Sequence, residues 1–108
     1  SNKKLASMDM EERYRLIIST ILNAIGCQVE VEHMLSTGRI DIVASTSRFI
    51  YVVELKLSNN GGINAAEKQI IDNGYLKPFL ADDRKVIGLA VELDDMGKGL
   101  IDWKEVQN

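Results

Sequence analysis

Three charged residues stand where strands should be apolar. The segment Phe49-Ile50-Tyr51-Val52-Val53-Glu54-Leu55-Lys56-Leu57 carries apolar residues on both faces, as a strand covered on both sides does. Glu54 and Lys56 interrupt it two residues apart and so share a face. Charges in such a place are costly unless they pair with each other, with a metal or with a substrate. In the preceding segment Asp41 stands between Ile40 and Ile42. Two carboxylates beside one lysine suit a hard divalent cation. Mg²⁺, or Mn²⁺ in its place, takes one or two carboxylates and keeps its other positions for water and phosphate oxygens. Such an ion lowers the pKa of a bound water and offsets charge building on phosphorus. A neighbouring lysine orients the water or stabilises the developing negative charge. Asp41 and Glu54 are therefore the candidate metal ligands, and Lys56 the candidate catalytic amine. Glu-x-Lys alone recurs by chance in about one chain in three of this length. An aspartate on a matching face of the preceding strand adds the weight. The competing reading is a salt bridge on the wet face of an antiparallel sheet.

Whether the three groups meet depends on the elements that carry them. Spacing predicts strands over 27–35, 39–44 and 49–57, the last two joined by a hairpin loop at Ser45-Thr46-Ser47-Arg48. A two-residue loop, Ser47-Arg48, sets Asp41 directly across from Glu54. A four-residue loop sets it across from Val52, diagonal to Glu54. Either keeps Asp41 on the Glu54 face, whereas a three-residue loop does not. Along the first strand Cys27, Val29, Val31 and His33 alternate with Gln28, Glu30 and Glu32, the pattern of a half-exposed strand. Ser36-Thr37-Gly38 forms a turn.

Residues 9–25 read as a helix whose apolar face is Tyr14, Ile17, Ile18, Ile21, Leu22 and Ile25. Asp9 is its N-cap, Glu12 completes a capping box and Gly26 ends it. After the Asn59-Asn60-Gly61-Gly62 break, Asn64 caps a helix over about 65–73, which Gly74 ends and Pro78 keeps from continuing. Residues 85–93 form a fourth strand, 94–99 a loop, and 101–106, around Trp103, a short edge element. The order is α-β-β-β-α-β, an α/β class with helices flanking a sheet.

The 108 residues fit one domain, 45% hydrophobic and 27% charged, ordinary values for a globular chain. No apolar run approaches the length of a membrane-spanning helix. The single cysteine, Cys27, excludes an internal disulfide and fits a reducing, cytoplasmic compartment. One histidine and one cysteine do not make the usual structural zinc site. Ser1-Asn2 reads like a cleavage scar and no signal-peptide core follows Lys3-Lys4. The expectation is a tag remnant or linker over residues 1–8 and a single domain over 9–106, excised from a longer protein.

Asp41 in Gly38-Arg39-Ile40-Asp41, Glu54-Leu55-Lys56 in the next strand and the leading helix together resemble the PD-(D/E)XK nuclease superfamily. That resemblance implies a restriction-endonuclease-like α-β-β-β-α-β core with a mixed sheet. More narrowly, the chain looks like a bacterial domain family attached to the C-terminal end of AAA-ATPase-like proteins. The matching stretches are Gly38-Arg39-Ile40-Asp41, Tyr51 to Leu57, Gln69-Ile70, Gly74-Tyr75, Pro78-Phe79 and Asp102-Trp103. The resemblance runs from about Glu11 to Trp103.

It implies a Mg²⁺-dependent phosphodiesterase acting on nucleic acid, DNA first, with the Leu55 carbonyl as a further metal ligand. It also implies a glutamate of the first helix at the site. Glu11 lies on the stripe of Tyr14, Ile18, Leu22 and Ile25, whereas Glu12 faces away, so Glu11 is chosen. Gln69 stands where some branches place a glutamine that serves the substrate or the lysine. Those branches have a tyrosine four residues later, a position held here by Asn73, with Tyr75 six away. An ATPase-like domain of the parent chain is the implied protein partner, a homodimer is left open, and no membrane is involved.

The rival from another class is a non-catalytic nuclease-like module for binding or assembly. Cys27 reads as a packed thiol, His33 as a strand or rim residue, and Trp103 as a packing anchor for the C-terminal segment. Gly61-Gly62 lacks the phosphate-loop pattern, and Asp94-Asp95 lacks calcium-loop spacing.

Charge sets one expectation about affinity. Thirteen Lys and Arg face sixteen Asp and Glu, a net charge of −3. The cations are spread singly or in pairs such as Arg13 with Arg15 and Arg84 with Lys85, with no basic run. Phosphate neutralisation supplies much of the free energy of nucleic-acid binding. The isolated domain is expected to bind duplex DNA only in the micromolar range or weaker, as non-specific binders do at physiological salt. Fluorescence anisotropy at about 150 mM salt tests this; nanomolar binding would contradict it.

Overall fold

The computed structural model describes residues 8–107. The expected leading segment over 1–8 lies, apart from Met8, outside the described residues. The elements are α1 (Met10–Ala24), β1 (Gln28–Leu35), β2 (Gly38–Ser45), β3 (Phe49–Leu57), α2 (Gly62–Asp72), β4 (Lys85–Leu93) and β5 (Leu100–Val106). Short 3-10 turns cover Ser58–Asn60 and Lys77–Phe79. The strands form one sheet in sequence order, antiparallel throughout except for the parallel pair β3–β4, which α2 connects.

Alternation along β3 divides the interior into two clusters. Val53 and Leu55 point to the α1 side, where they meet Tyr14, Ile42, Ala44 and Leu93. Ile50 and Val52 point to the α2 side, among Ile40, Ala66, Ile70, Tyr75, Leu76 and Ala90. β3 is thus covered on both faces, as its apolar run predicted. Each fully buried aliphatic side chain here, such as Val52 or Leu55, contributes about 1.5–3 kcal/mol.

Asp9 caps α1 as expected, its carboxylate accepting the Glu12 N–H at 2.7 Å. The apolar stripe is narrower than its spacing suggested. Met10, Tyr14, Ile18 and Leu22 pack against the sheet, while Ile17, Ile21 and Ile25 are exposed. α1 makes most of its contacts with β1, β2 and β3, and one row of its side chains packs there. α2 begins at Gly62, before the expected Asn64 cap. The Glu92 carboxylate of β4 takes the Ile63 N–H at 2.8 Å and the Ser58 hydroxyl at 2.7 Å, doing the work of a cap from across the sheet. β5 is a full strand beginning at Leu100, and Trp103 is 57% exposed, so it does not anchor that segment.

The β1 reading also needs correction. Cys27 and Val29 pack on the α1 side, but the His33 ring lies against that of Phe79, centroids 5.7 Å apart, and Leu35 joins the α2-side cluster. The facing switches at Glu32, whose φ is +55°. β2 switches at the opposite position: Ile40 belongs to the α2-side cluster and Ile42 to the α1-side cluster, with Asp41 between them. The β1–β2 register is the same on either side of this point, so the two strands turn over together.

α1 is latched to the far end of the sheet by one phenol. Tyr14 donates its hydroxyl proton to the Asp94 carbonyl at 2.7 Å and accepts the Gly99 N–H at 3.0 Å. Tyr14→Phe keeps the ring packing and removes both bonds, at about 1–2 kcal/mol. For a domain of this size that lowers the melting temperature by about 4–8 °C per kcal/mol. Thermal denaturation of wild type and Tyr14→Phe checks it; an unchanged midpoint would contradict the latch.

Candidate active site

The β2–β3 ladder runs from Ser45↔Ile50 to Ile42↔Val53 and stops there. That register belongs to the two-residue loop and sets Asp41 directly across from Glu54. Side chains take over the next rung. The Asp41 N–H donates to Glu54 Oε1 at 3.3 Å, and the Leu55 N–H donates to Asp41 Oδ2 at 2.9 Å. Each carboxylate is held by the backbone of the other's strand. Both are buried, Asp41 at 7% exposure and Glu54 at 2%. Burial first, then the Asp41 charge, pushes the Glu54 carboxyl well above its ordinary value, to about 8, against the opposing pull of the Asp41 N–H and Lys56.

Where the strands part, a cleft of about 250 Å³ opens. β2 contributes Gly38, Arg39 and Asp41 to its wall, and β3 contributes Glu54 and Lys56. α1 brings Glu11 and Arg15, and α2 brings Gln69, with Asn73 and Tyr75 following. All five candidate side chains from the sequence, Asp41, Glu54, Lys56, Glu11 and Gln69, therefore line one cleft. Glu11 is raised by burial first and by Asp41 next, and is lowered by Lys56. Glu12 is exposed, with its N–H on Asp9. Leu55 has its side chain in the α1-side core and its backbone at the cleft. Lys56 is half-buried and makes no hydrogen bond or ion pair among the described residues, so the salt bridge to Glu54 does not form.

Gln69 is fixed by a buried phenol. Its Nε2 donates to the Tyr75 hydroxyl oxygen at 3.1 Å, as does Asn73 Nδ2 at 3.3 Å, while the hydroxyl donates to the Arg39 carbonyl at 3.2 Å. α2 ends at Asp72 and Gly74 turns the chain back with φ +62°, which returns Tyr75 to Gln69 from six residues away. Gly38 makes room: a Cβ there would stand 2.5 Å from the Tyr75 oxygen.

Sequence reasoning missed Arg15 and Arg39 as parts of the site. Arg15 Nη1 lies 3.5 Å from Asp41 Oδ1 and Nη2 lies 2.6 Å from Glu32 Oε1. Arg39 Nη1 is 3.9 Å from Glu32 Oε2. Arg15 follows Glu11 by four residues and so shares its helix face, which was a readable signal. Cys27 and His33 stay outside the cleft; the His33 ring pairs with Glu30. Asp94 accepts the Met96 and Lys98 N–H groups and shapes its own loop.

Among the described residues, no three His, Cys, Asp or Glu side chains are grouped so as to hold a metal by themselves. Two carboxylates with backbone and water oxygens remain a fitting set for Mg²⁺.

A search of curated proteins gave no match. A family model described as the PD-(D/E)XK nuclease superfamily matches residues 9–103, from the α1 cap to Trp103 in β5. Nucleases of that superfamily generally use divalent metals. A five-stranded mixed sheet with two helices is also consistent with the restriction-endonuclease-like fold. With the match running from the α1 cap into β5 and taking in the whole cleft, the chain belongs to the PD-(D/E)XK nuclease superfamily.

Proposed function

We propose that this domain is a Mg²⁺-dependent phosphodiesterase acting on nucleic acid, with DNA as the first candidate substrate. The observation that carries the reading is the meeting of Glu11, Asp41, Glu54, Lys56 and Gln69, from four elements, in one polar cleft. Asp41 and Glu54 would hold the cation. Their convergence supports this: a buried carboxyl kept near another carboxylate is a negative spot that a dication relieves. The Leu55 carbonyl is the further ligand. The N–H and C=O of a strand residue point to the same side, and the Leu55 N–H points to Asp41 beyond the end of the ladder. When bound, the cation makes water a better nucleophile and offsets charge at phosphorus.

The remaining roles fall to the chain's own groups. Lys56, with its amine unspent on Glu54, orients the attacking water and stabilises negative charge. Glu11 faces the same space and assists in holding that water. Gln69, pinned by Tyr75, presents its amide to the substrate or to Lys56. An ATPase-like domain of a longer chain would supply additional binding surface and raise the effective concentration of substrate.

The reading predicts one Mn²⁺ site by calorimetry that disappears in Asp41→Ala, together with Mg²⁺-dependent cleavage that Lys56→Met abolishes. Met keeps the apolar stem, so the melting temperature of Lys56→Met stays near that of wild type. A non-catalytic module would give no cleavage. Equal Mn²⁺ binding by wild type and Asp41→Ala would overturn the ligand assignment.

Acidity gives an independent check. With Glu54 at about 8 when folded against 4.5 for the ordinary carboxyl, the folded state keeps a proton between those values that the unfolded state releases. Stability from this group is full below about pH 4.5 and is lost as pH rises toward 8, at up to about 1.4 kcal/mol per pH unit. The chelated protein should therefore melt at a lower temperature at pH 8 than at pH 5. Glu54→Gln should flatten that slope, and Mg²⁺ should oppose it. An identical slope in Glu54→Gln would contradict the assignment.

A further inference from the structure

We propose that Arg15 is a positioning residue of this cleft: an internal counter-cation, held by Glu32, that a divalent cation must displace from Asp41 Oδ1. The proposal rests on the metal reading above and adds a residue to it. The guanidinium is divided between two carboxylates, Nη2 at 2.6 Å from Glu32 and Nη1 at 3.5 Å from Asp41 Oδ1. Asp41 Oδ2 already accepts the Leu55 N–H, so Oδ1 is the oxygen left for a cation, and Arg15 faces it. Both side chains are sheltered, with 13% of the Arg15 side chain exposed and Asp41 buried. A guanidinium does not deprotonate in a protein, so a dication arriving at Asp41 meets a fixed positive charge.

Glu32 sets the outcome of that competition. It falls between the pairs Val31↔Ile42 and His33↔Ile40, at the position the β1–β2 ladder skips, with φ +55° in the left-handed region that residues other than glycine seldom adopt. This turn of β1 accompanies the ion pair with Arg15. The shorter contact pulls the guanidinium toward Glu32 and leaves the Asp41 contact long. Arg39, 3.9 Å from the other Glu32 oxygen, completes a pair of cations lining the cleft. Once displaced from Asp41, Arg15 remains on Glu32, beside the place a phosphate would take.

Two measurements test this. In EDTA, a double-mutant cycle of melting temperatures links Arg15→Gln with Asp41→Asn. Arg15→Gln should lower the midpoint by about 4 °C or more alone and by less when Asp41 is Asn, the remaining loss being that of the Glu32 contact. In Mn²⁺ calorimetry, Arg15→Gln should bind about fivefold more tightly than wild type or better, and Glu32→Gln about fivefold more weakly. Arg39→Gln should change binding less than Arg15→Gln, and Glu32→Gln should have no effect once Arg15 is Gln. Should Arg15→Gln fail to fold, Glu32→Gln carries the test, since it leaves the cleft carboxylates and Arg15 in place. Additive melting losses with Mn²⁺ binding intact would overturn the Arg15 assignment alone. Coupled melting with no Mn²⁺ binding in any variant would support Arg15 as counter-cation and overturn its displacement together with the metal reading. Unchanged or weaker Mn²⁺ binding in Arg15→Gln would overturn the competition.

Discussion

Two strand N–H groups are satisfied by side chains of the neighbouring strand and not by its backbone. Where the β2–β3 ladder should make its next rung, Glu54 takes the Asp41 N–H and Asp41 takes the Leu55 N–H. Buried backbone donors are seldom left unpaired, so the chain cannot simply dispense with either carboxylate. The same exchange holds two carboxyl groups together at near-complete burial, where Glu54 keeps its proton well above the ordinary carboxyl range. It also lets the strands separate without an energetic penalty for their amides. The cleft exists because of that separation, and through it α1 on one face and α2 on the other reach the same space.

The helices are held where they are by contacts far from the cleft. α1 carries Glu11 and Arg15 one turn or less from Tyr14, whose phenol ties it to the loop after β4. α2 carries Gln69, and its first turn is fixed by Glu92 from β4, a carboxylate that these contacts hold below its ordinary value. Gly62 allows that approach, since a Cβ there would collide with the Glu92 carboxylate. A packed core sets the layers, and a few polar ties set where each helix stops along them.

Much of this was legible in the residues. β3 read correctly as a strand covered on both sides, because nine residues of mostly β-branched and aromatic type fit little else. The loop alternatives contained the observed register, but turn geometry in the folded chain had to choose between them. Faces were less legible. Counting by twos along β1 assumes a regular pleat, and the turn at Glu32 carries no glycine or proline to announce it. Counting by threes and fours along α1 overstated the buried stripe, since Ile17, Ile21 and Ile25 fit the helical period yet remain exposed. Periodicity marks which residues can share a face and not how much sheet lies beneath it. Tyr75 escaped the expected spacing because a chain reversal at Gly74, not helical rise, brings it to Gln69.

Charge at the cleft is nearly balanced while charge on the whole chain is not. Glu11, Asp41 and Glu54 face Arg15, Arg39 and Lys56 across the same space, within a chain of net charge −3. Three carboxyl groups share that space, and Arg15 is engaged with two carboxylates, Glu32 and Asp41. On the proposed reading, a dication at Asp41 and Glu54 cancels the repulsion and releases one guanidinium contact at once. Attraction for a polyanion then arises at the reacting centre and not over the general surface, which has no basic run to supply it. On that reading substrate affinity and the metal would be one coupled quantity in this cleft, with Arg15 as the group that both must reckon with.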